Sequence, residues 1–105
     1  MALYTLSMWL VKPGREEEFA AAWRELADWT ARQLLGGAGA RQARLLRDRD
    51  QPNRFISFGP WDRMEVISAW RAHPGFGERV ANMQGMLEDF SPMTLDDVTT
   101  SQPKL

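Results

Sequence analysis

His73 is the only histidine of this 105-residue chain. It stands between Trp70 and Phe76 in the run Trp70-Arg71-Ala72-His73-Pro74-Gly75-Phe76. Histidine is the side chain that normally titrates near neutrality, which makes His73 the candidate general base, able to take a proton from an acidic hydroxyl. An indole such as Trp70 offers a flat apolar face to an aromatic ligand. Each residue also has a plainer reading. Trp70 could fill the gap between a helix and a sheet, and His73 could end a helix, because Pro74 biases it away from helical geometry. Thr5, Ser7 and Trp9 share one parity of an N-terminal strand. Two small hydroxyls there could orient a ligand in an otherwise apolar pocket, or simply bond to neighbouring groups. Phe76, Trp23 and Met83 complete the candidate lining. Trp23 sits on a helical apolar stripe that serves a core as readily as a site, and Met83, with Met86 and Met93, would make an adaptable wall. Trp29 reads either as a pocket wall or as an interface residue.

Other chemistries are poorly served. The chain has no cysteine, which excludes disulfides, thiolate catalysis and zinc–thiolate sites, and one histidine makes no metal cluster. Gly36-Gly37-Ala38-Gly39 follows a helix rather than a strand, the wrong context for a phosphate loop. Asp96 and Asp97 alternate across a strand and so do not form a carboxylate pair. A net charge of −1 gives no electrostatic reason to expect nucleic acid or an anionic membrane. No apolar run reaches the roughly 18–20 residues of a membrane span, and the N-terminus lacks the basic region of a signal peptide, so a cytoplasmic location is the expectation. Arg41, Arg44, Arg47 and Arg49 read as a solvated strand edge.

The elements that must position these residues follow from periodicity. Leu3 to Val11 is rich in strand formers, and neither parity is clearly polar, so both faces of that strand are covered. Lys12-Pro13-Gly14 ends it, and Arg15-Glu16-Glu17-Glu18 opens a helix with three carboxylates where the helix dipole favours them. Phe19, Trp23, Leu26, Thr30 and Leu34 form its apolar stripe. Ala40 to Asp48 is the second strand, Asp50 to Asn53 a turn, and Phe55 to Phe58 the third strand, ended at Gly59-Pro60. A helix capped near Asp62 runs to Ala72, with Met64, Ile67 and Trp70 inward. After His73-Pro74-Gly75 a further helix spans Phe76 to Leu87, and a last strand covers Met93 to Thr99. The expected fold is one α+β domain over residues 1–100 with a flexible tail at 101–105. Its order is βαββαβ: a ferredoxin-like antiparallel four-stranded sheet with helices on one face. The apolar residues on both parities of the first strand call for a cover on the other face, supplied by a second copy in a sheet-on-sheet homodimer.

Two segments resemble one known family. The run Trp9 to Phe19, with Val11-Lys12-Pro13-Gly14, is similar to the entry into the first helix of antibiotic biosynthesis monooxygenases. Trp61 to Trp70, with Glu65 between them and Pro74-Gly75-Phe76 after, is similar to that family's second signature. The resemblance implies a dimeric α+β barrel with a cavity between sheet and helices. It also implies oxygenation of a small aromatic or quinol-type, polyketide-like substrate with no metal, flavin or other cofactor. In that setting His73 would be the base and Trp70 the stacking wall, with Thr5, Ser7, Trp9, Trp23, Phe76 and Met83 binding the substrate. The quinone-forming branch has an asparagine where Val66 stands and a tyrosine where Phe76 stands. Those departures keep open a second reading, a non-catalytic small-molecule-binding or interaction module of the same fold. The heme-degrading branch has an asparagine where Ser7 stands and an iron-ligating histidine where Val80 stands, which disfavours heme chemistry.

Overall fold

A computed structural model describes residues 3–33, 43–99 and 101. Leu34, the glycine-rich turn, the first residues expected in the second strand and nearly all of the tail fall outside the described residues. The elements are β1 (Leu3–Val11), α1 (Glu16–Gln33), β2 (Arg44–Arg47), β3 (Arg54–Trp61), α2 (Met64–Ala72), α3 (Pro74–Gln84) and β4 (Leu87–Asp96). The strands form one antiparallel sheet in the order β2-β3-β1-β4, with β1 and β3 at its centre. This is the ferredoxin-like α+β fold that the element order predicts. No described helix is long and apolar enough to cross a membrane.

The turn into α1 shows why its residues are there. Gly14 adopts φ 93°, a conformation that side chains with a Cβ rarely take, and its N–H donates to Glu16 Oε1 at 2.8 Å. Arg15 pairs with Glu18 at 2.8 Å and also reaches the Gly85 carbonyl at 2.8 Å, tying the start of α1 to the end of α3. At the β2–β3 turn the Asp48 carboxylate accepts from the Asp50 N–H (2.8 Å) and from Arg54 Nε (2.9 Å). The Asp50 N–H first, and Arg54 second, hold its carboxyl below the usual carboxylate range.

The core lies between the sheet and the helices. Phe19 of α1, Ile67 of α2, Met83 of α3 and Val11 of β1 are fully buried. On β1 the parity containing Trp9 and Val11 faces this core. On β3 the alternation is clean, with Phe55, Ser57, Gly59 and Trp61 buried and the residues between them not.

Several boundaries differ from the sequence-based expectation, among them the end of α3 at Gln84 rather than Leu87 and the end of β4 at Asp96 rather than Thr99. β3 runs through Gly59-Pro60, pairing Tyr4 with Pro60 and Leu3 with Trp61. Among the described residues β2 ends its pairing at Arg44 opposite Phe58, so Pro60 lies where β3 has become an edge. A residue without an N–H is tolerated there. α2 is preceded by Arg63, with no side-chain cap, and Met64 is 44% exposed rather than inward. α3 begins at Pro74 rather than Phe76, because proline at the first helical position wastes no hydrogen bond and His73 caps the helix. β4 begins at Leu87 rather than Met93 and includes Pro92, which an edge strand accommodates.

Candidate functional site

The core does not close completely. Towards the end of the sheet where β1 begins, a cavity of about 80 Å³ remains between sheet and helices. Its floor is Thr5, Ser7 and Trp9 of β1, Ser57, Gly59 and Trp61 of β3, and Phe90 and Pro92 of β4. Its roof is Trp23, Leu26, Ala27 and Thr30 of α1, Trp70 and Arg71 of α2, and Phe76 and Val80 of α3. Small residues create the space: Gly59 and Ser57 face it from β3, and Ala27 from α1. Large ones bound it. Trp61 meets Trp70 with ring centroids 4.9 Å apart, Trp70 meets Phe76 at 4.5 Å, and Trp9 stacks on Phe90 at 4.3 Å. Such a lining excludes water and favours a flat apolar guest.

Three indole N–H groups around the cavity are each held by a hydroxyl. Trp9 Nε1 donates to Ser57 Oγ, Trp61 Nε1 to Thr5 Oγ1 and Trp70 Nε1 to Thr30 Oγ1, all at 2.9 Å. Thr30 in turn donates to the Leu26 carbonyl at 2.8 Å, so its hydroxyl is used in both directions. These three indoles are thereby fixed in orientation, and none of their N–H groups is left for a ligand oxygen. The polar groups still able to face a guest are the Ser7 hydroxyl, the O–H groups of Thr5 and Ser57, the Trp23 indole N–H and the guanidinium of Arg71. Arg71 donates from Nη1 to Thr94 Oγ1 at 2.9 Å.

Of the residues singled out from sequence, Thr5, Ser7, Trp9, Trp23, Trp70 and Phe76 come together around this cavity. Met83 and His73 are not among its lining residues. Met83 is 1% exposed and belongs to the neighbouring core. His73 is exposed; its Nδ1 accepts the Gly75 N–H at 2.9 Å as the N-cap of α3, and its ring meets Trp29 edge-on at 5.1 Å. Trp29 itself lies between α1 and α3, under the Arg79 guanidinium at 4.6 Å. Sequence reasoning missed Thr30, Ser57, Trp61 and Arg71 as site residues. Thr30 was legible as the one polar member of the α1 stripe. Ser57 was legible as a lone hydroxyl on the inward parity of β3. Among the described residues no cluster of three or more His, Asp or Glu side chains could hold a metal ion.

Comparison with known proteins bears on both fold and site. Residues 3–82 match the family model described as antibiotic biosynthesis monooxygenase. A search of the curated proteins found no match. Among solved structures, SnoaB, a cofactor-independent oxygenase from Streptomyces nogalater, has a TM-score of 0.80 at 20% identity, covering 94% of this chain and 95% of its own. A Caulobacter crescentus protein provisionally described as an antibiotic biosynthesis monooxygenase has a TM-score of 0.81 at 16% identity, covering 93% and 91%. A Shewanella oneidensis protein, SO0527, has a TM-score of 0.75 at 21% identity, covering 89% and 87%. At these identities the likeness speaks for the fold.

Proposed function

The chain belongs to the antibiotic biosynthesis monooxygenase family, and from that premise we propose that it oxygenates a small aromatic or quinol-type substrate without a cofactor. The observation that carries this reading is the apolar, indole-walled cavity, in which Arg71 supplies the one charged group of the lining beside a few hydroxyls and the Trp23 indole N–H. In this chemistry the substrate supplies the electrons. Its ionised form, a phenolate or enolate, is electron-rich enough to react with oxygen. A ring methylene becomes a carbonyl, one oxygen atom stays on carbon and the other leaves as water, and the carbon provides all four electrons. The protein's contribution is to hold the ring, exclude water and stabilise the anion. Trp70 and Trp61 hold the ring, with Phe76 and Trp23 closing over it. His73, outside the cavity lining and engaged in capping α3, is given no part in the proton transfer.

Oxygen uptake with anthrone tests the proposal. The expected result is uptake above the uncatalysed rate, at one oxygen per anthrone. Trp70→Phe keeps a ring but loses the tether to Thr30, and is expected to slow uptake by about tenfold, the scale of one well-placed aromatic contact. His73→Ala is expected to leave the rate within about twofold of the parent. No uptake across a panel of anthrone- and hydroquinone-type compounds would favour instead a binding module of the same fold. That second reading is supported by Val66 and Phe76, which place no hydrogen-bonding groups on α2 and α3 where the sequence comparison expected an asparagine and a tyrosine.

The protein is further proposed to be a homodimer packed sheet on sheet. Tyr4, Leu6, Met8, Ile56 and Phe58 alternate onto the sheet face away from the helices, and Leu46, Met93 and Leu95 on that face are 50%, 38% and 39% exposed. Contiguous apolar area of this kind favours association. Sedimentation equilibrium at micromolar concentration is expected to give the dimer mass, and a stable monomer there would refute the proposal.

A further inference from the structure

Of the described arginines, Arg71 is the one that is neither exposed nor paired with a carboxylate. Arg15, Arg54 and Arg79 have Glu18, Asp48 and Glu25 within 2.9 Å. The remaining described arginines are exposed to water, where a lone cation costs nothing. Arg71 is half-buried, and it lines the cavity. Its guanidinium makes one hydrogen bond among the described residues, from Nη1 to the neutral hydroxyl of Thr94. Of five N–H donors, four have no such partner.

The surroundings are uncharged on the cavity side. Thr94 pairs with Thr5 across β4 and β1, and Thr5 is bridged to Trp61 of β3. Phe76 of α3 and Trp70 of α2 are apolar neighbours in the same wall. Asp96 lies two residues beyond Thr94 on the same face of β4 but is exposed and makes no ion pair with Arg71. Among the described lining residues no side chain is a carboxylate or a histidine. A cation with spare donors in an apolar wall, with no base and no acid beside it, is matched by a guest that carries the negative charge itself.

Building on the aromatic-substrate reading, we propose that Arg71 is the anion-binding residue of the cavity and that the guest is bound as an aromatic oxyanion. The oxygen lies at the Arg71–Thr94–Thr5 end and the ring lies against Trp61 and Trp70. By stabilising the oxyanion over the neutral phenol, Arg71 lowers the guest's pKa on binding and makes a protein base unnecessary.

The experiment uses 4-nitrophenol, whose phenol and phenolate absorb at different wavelengths. It is titrated with pH, free and in excess protein, with the parent chain, Arg71→Gln and Arg71→Lys. Dissociation constants are measured in parallel with 4-nitrotoluene as the neutral counterpart. The expected result is a drop of about one unit in the apparent pKa of the nitrophenol on the parent, the size of one charge-assisted hydrogen bond. Arg71→Lys is expected to retain part of the drop and Arg71→Gln to abolish it. The phenolate should bind Arg71→Gln about tenfold more weakly, with nitrotoluene binding unchanged. Unchanged nitrotoluene binding also shows that the variant has kept its cavity. Equal ionisation shifts in parent and Arg71→Gln would overturn the role of Arg71 while leaving the aromatic cavity standing. Failure of the parent to bind either compound would overturn both.

Discussion

Trp61→Ala is expected to lower the free energy of unfolding by about 3–5 kcal/mol, the usual cost of emptying a large aromatic site in a core. Trp61 is 4% exposed at the end of β3. Its indole spans the sheet by donating to Thr5 Oγ1 on β1, and its ring supports Trp70 at 4.9 Å. Alanine leaves a void that β3 cannot collapse into, because its pairing with β1 continues to Leu3 opposite this residue. In a domain of this size the midpoint of thermal unfolding should fall by more than about 12 °C. Denaturant unfolding would show a lower midpoint with unchanged slope. Trp61→Phe should recover most of the loss, since it restores the ring and gives up the tether. A change below about 1 kcal/mol for Trp61→Ala would mean that the cavity floor is not part of the cooperative core.

The second large effect concerns backbone approach. A Cβ at position 75 would stand 2.9 Å from Trp29 Cε2, overlap Cζ2 of the same ring and lie 3.2 Å from His73 Nδ1. Trp29 has nowhere to retreat. It is 6% exposed, covered on one face by Arg79 and met at an edge by His73. Gly75→Ala is therefore expected to destabilise by about 1–3 kcal/mol through overpacking between α1 and α3. Gly77, two residues on in the same helix, has nothing within 4 Å of its would-be Cβ. Gly77→Ala should be stabilising, by up to about 1 kcal/mol, because alanine is the better helix former. Opposite signs at two glycines of one helix separate packing from propensity. Equal signs in chemical denaturation would contradict the proposed close approach of α3 to Trp29.

How much of this was legible in the sequence depends on the kind of signal. β1 was read to the residue, because a nine-residue run rich in strand formers ends before Pro13-Gly14, and α1 was read from its acidic first turn and apolar stripe. The order of strands and helices then left little choice of fold. Pro60 misled because proline was taken as a break, whereas an edge position asks nothing of its missing N–H. Leu87 was assigned to a helix because it falls four residues after Met83, on the apolar stripe. The chain turns at Gly85 instead, and Leu87 lies opposite Val11 in the sheet. The cavity residues on β1 could be grouped from parity alone. Arg71 could not, because an arginine on an amphipathic helix looks the same whether its head reaches water or a hydroxyl on a distant strand. His73 illustrates the converse. A lone histidine before Pro-Gly reads as a candidate base or as a helix end, and in the structure the same three residues make a compact cap in which the ring nitrogen is already engaged.

The three hydroxyl-tethered indoles have a consequence for recognition. A side chain that must settle when a guest arrives subtracts about 0.5–1.5 kcal/mol from affinity. Trp9, Trp61 and Trp70 have been settled during folding by Ser57, Thr5 and Thr30. The cavity is thus a preorganised mould rather than an adaptable one. It should discriminate by outline, accepting rigid planar molecules that match the gap and rejecting bulkier or puckered ones of equal hydrophobicity. Broadening its range would call for loosening a serine or threonine tether, not for enlarging a tryptophan's neighbours.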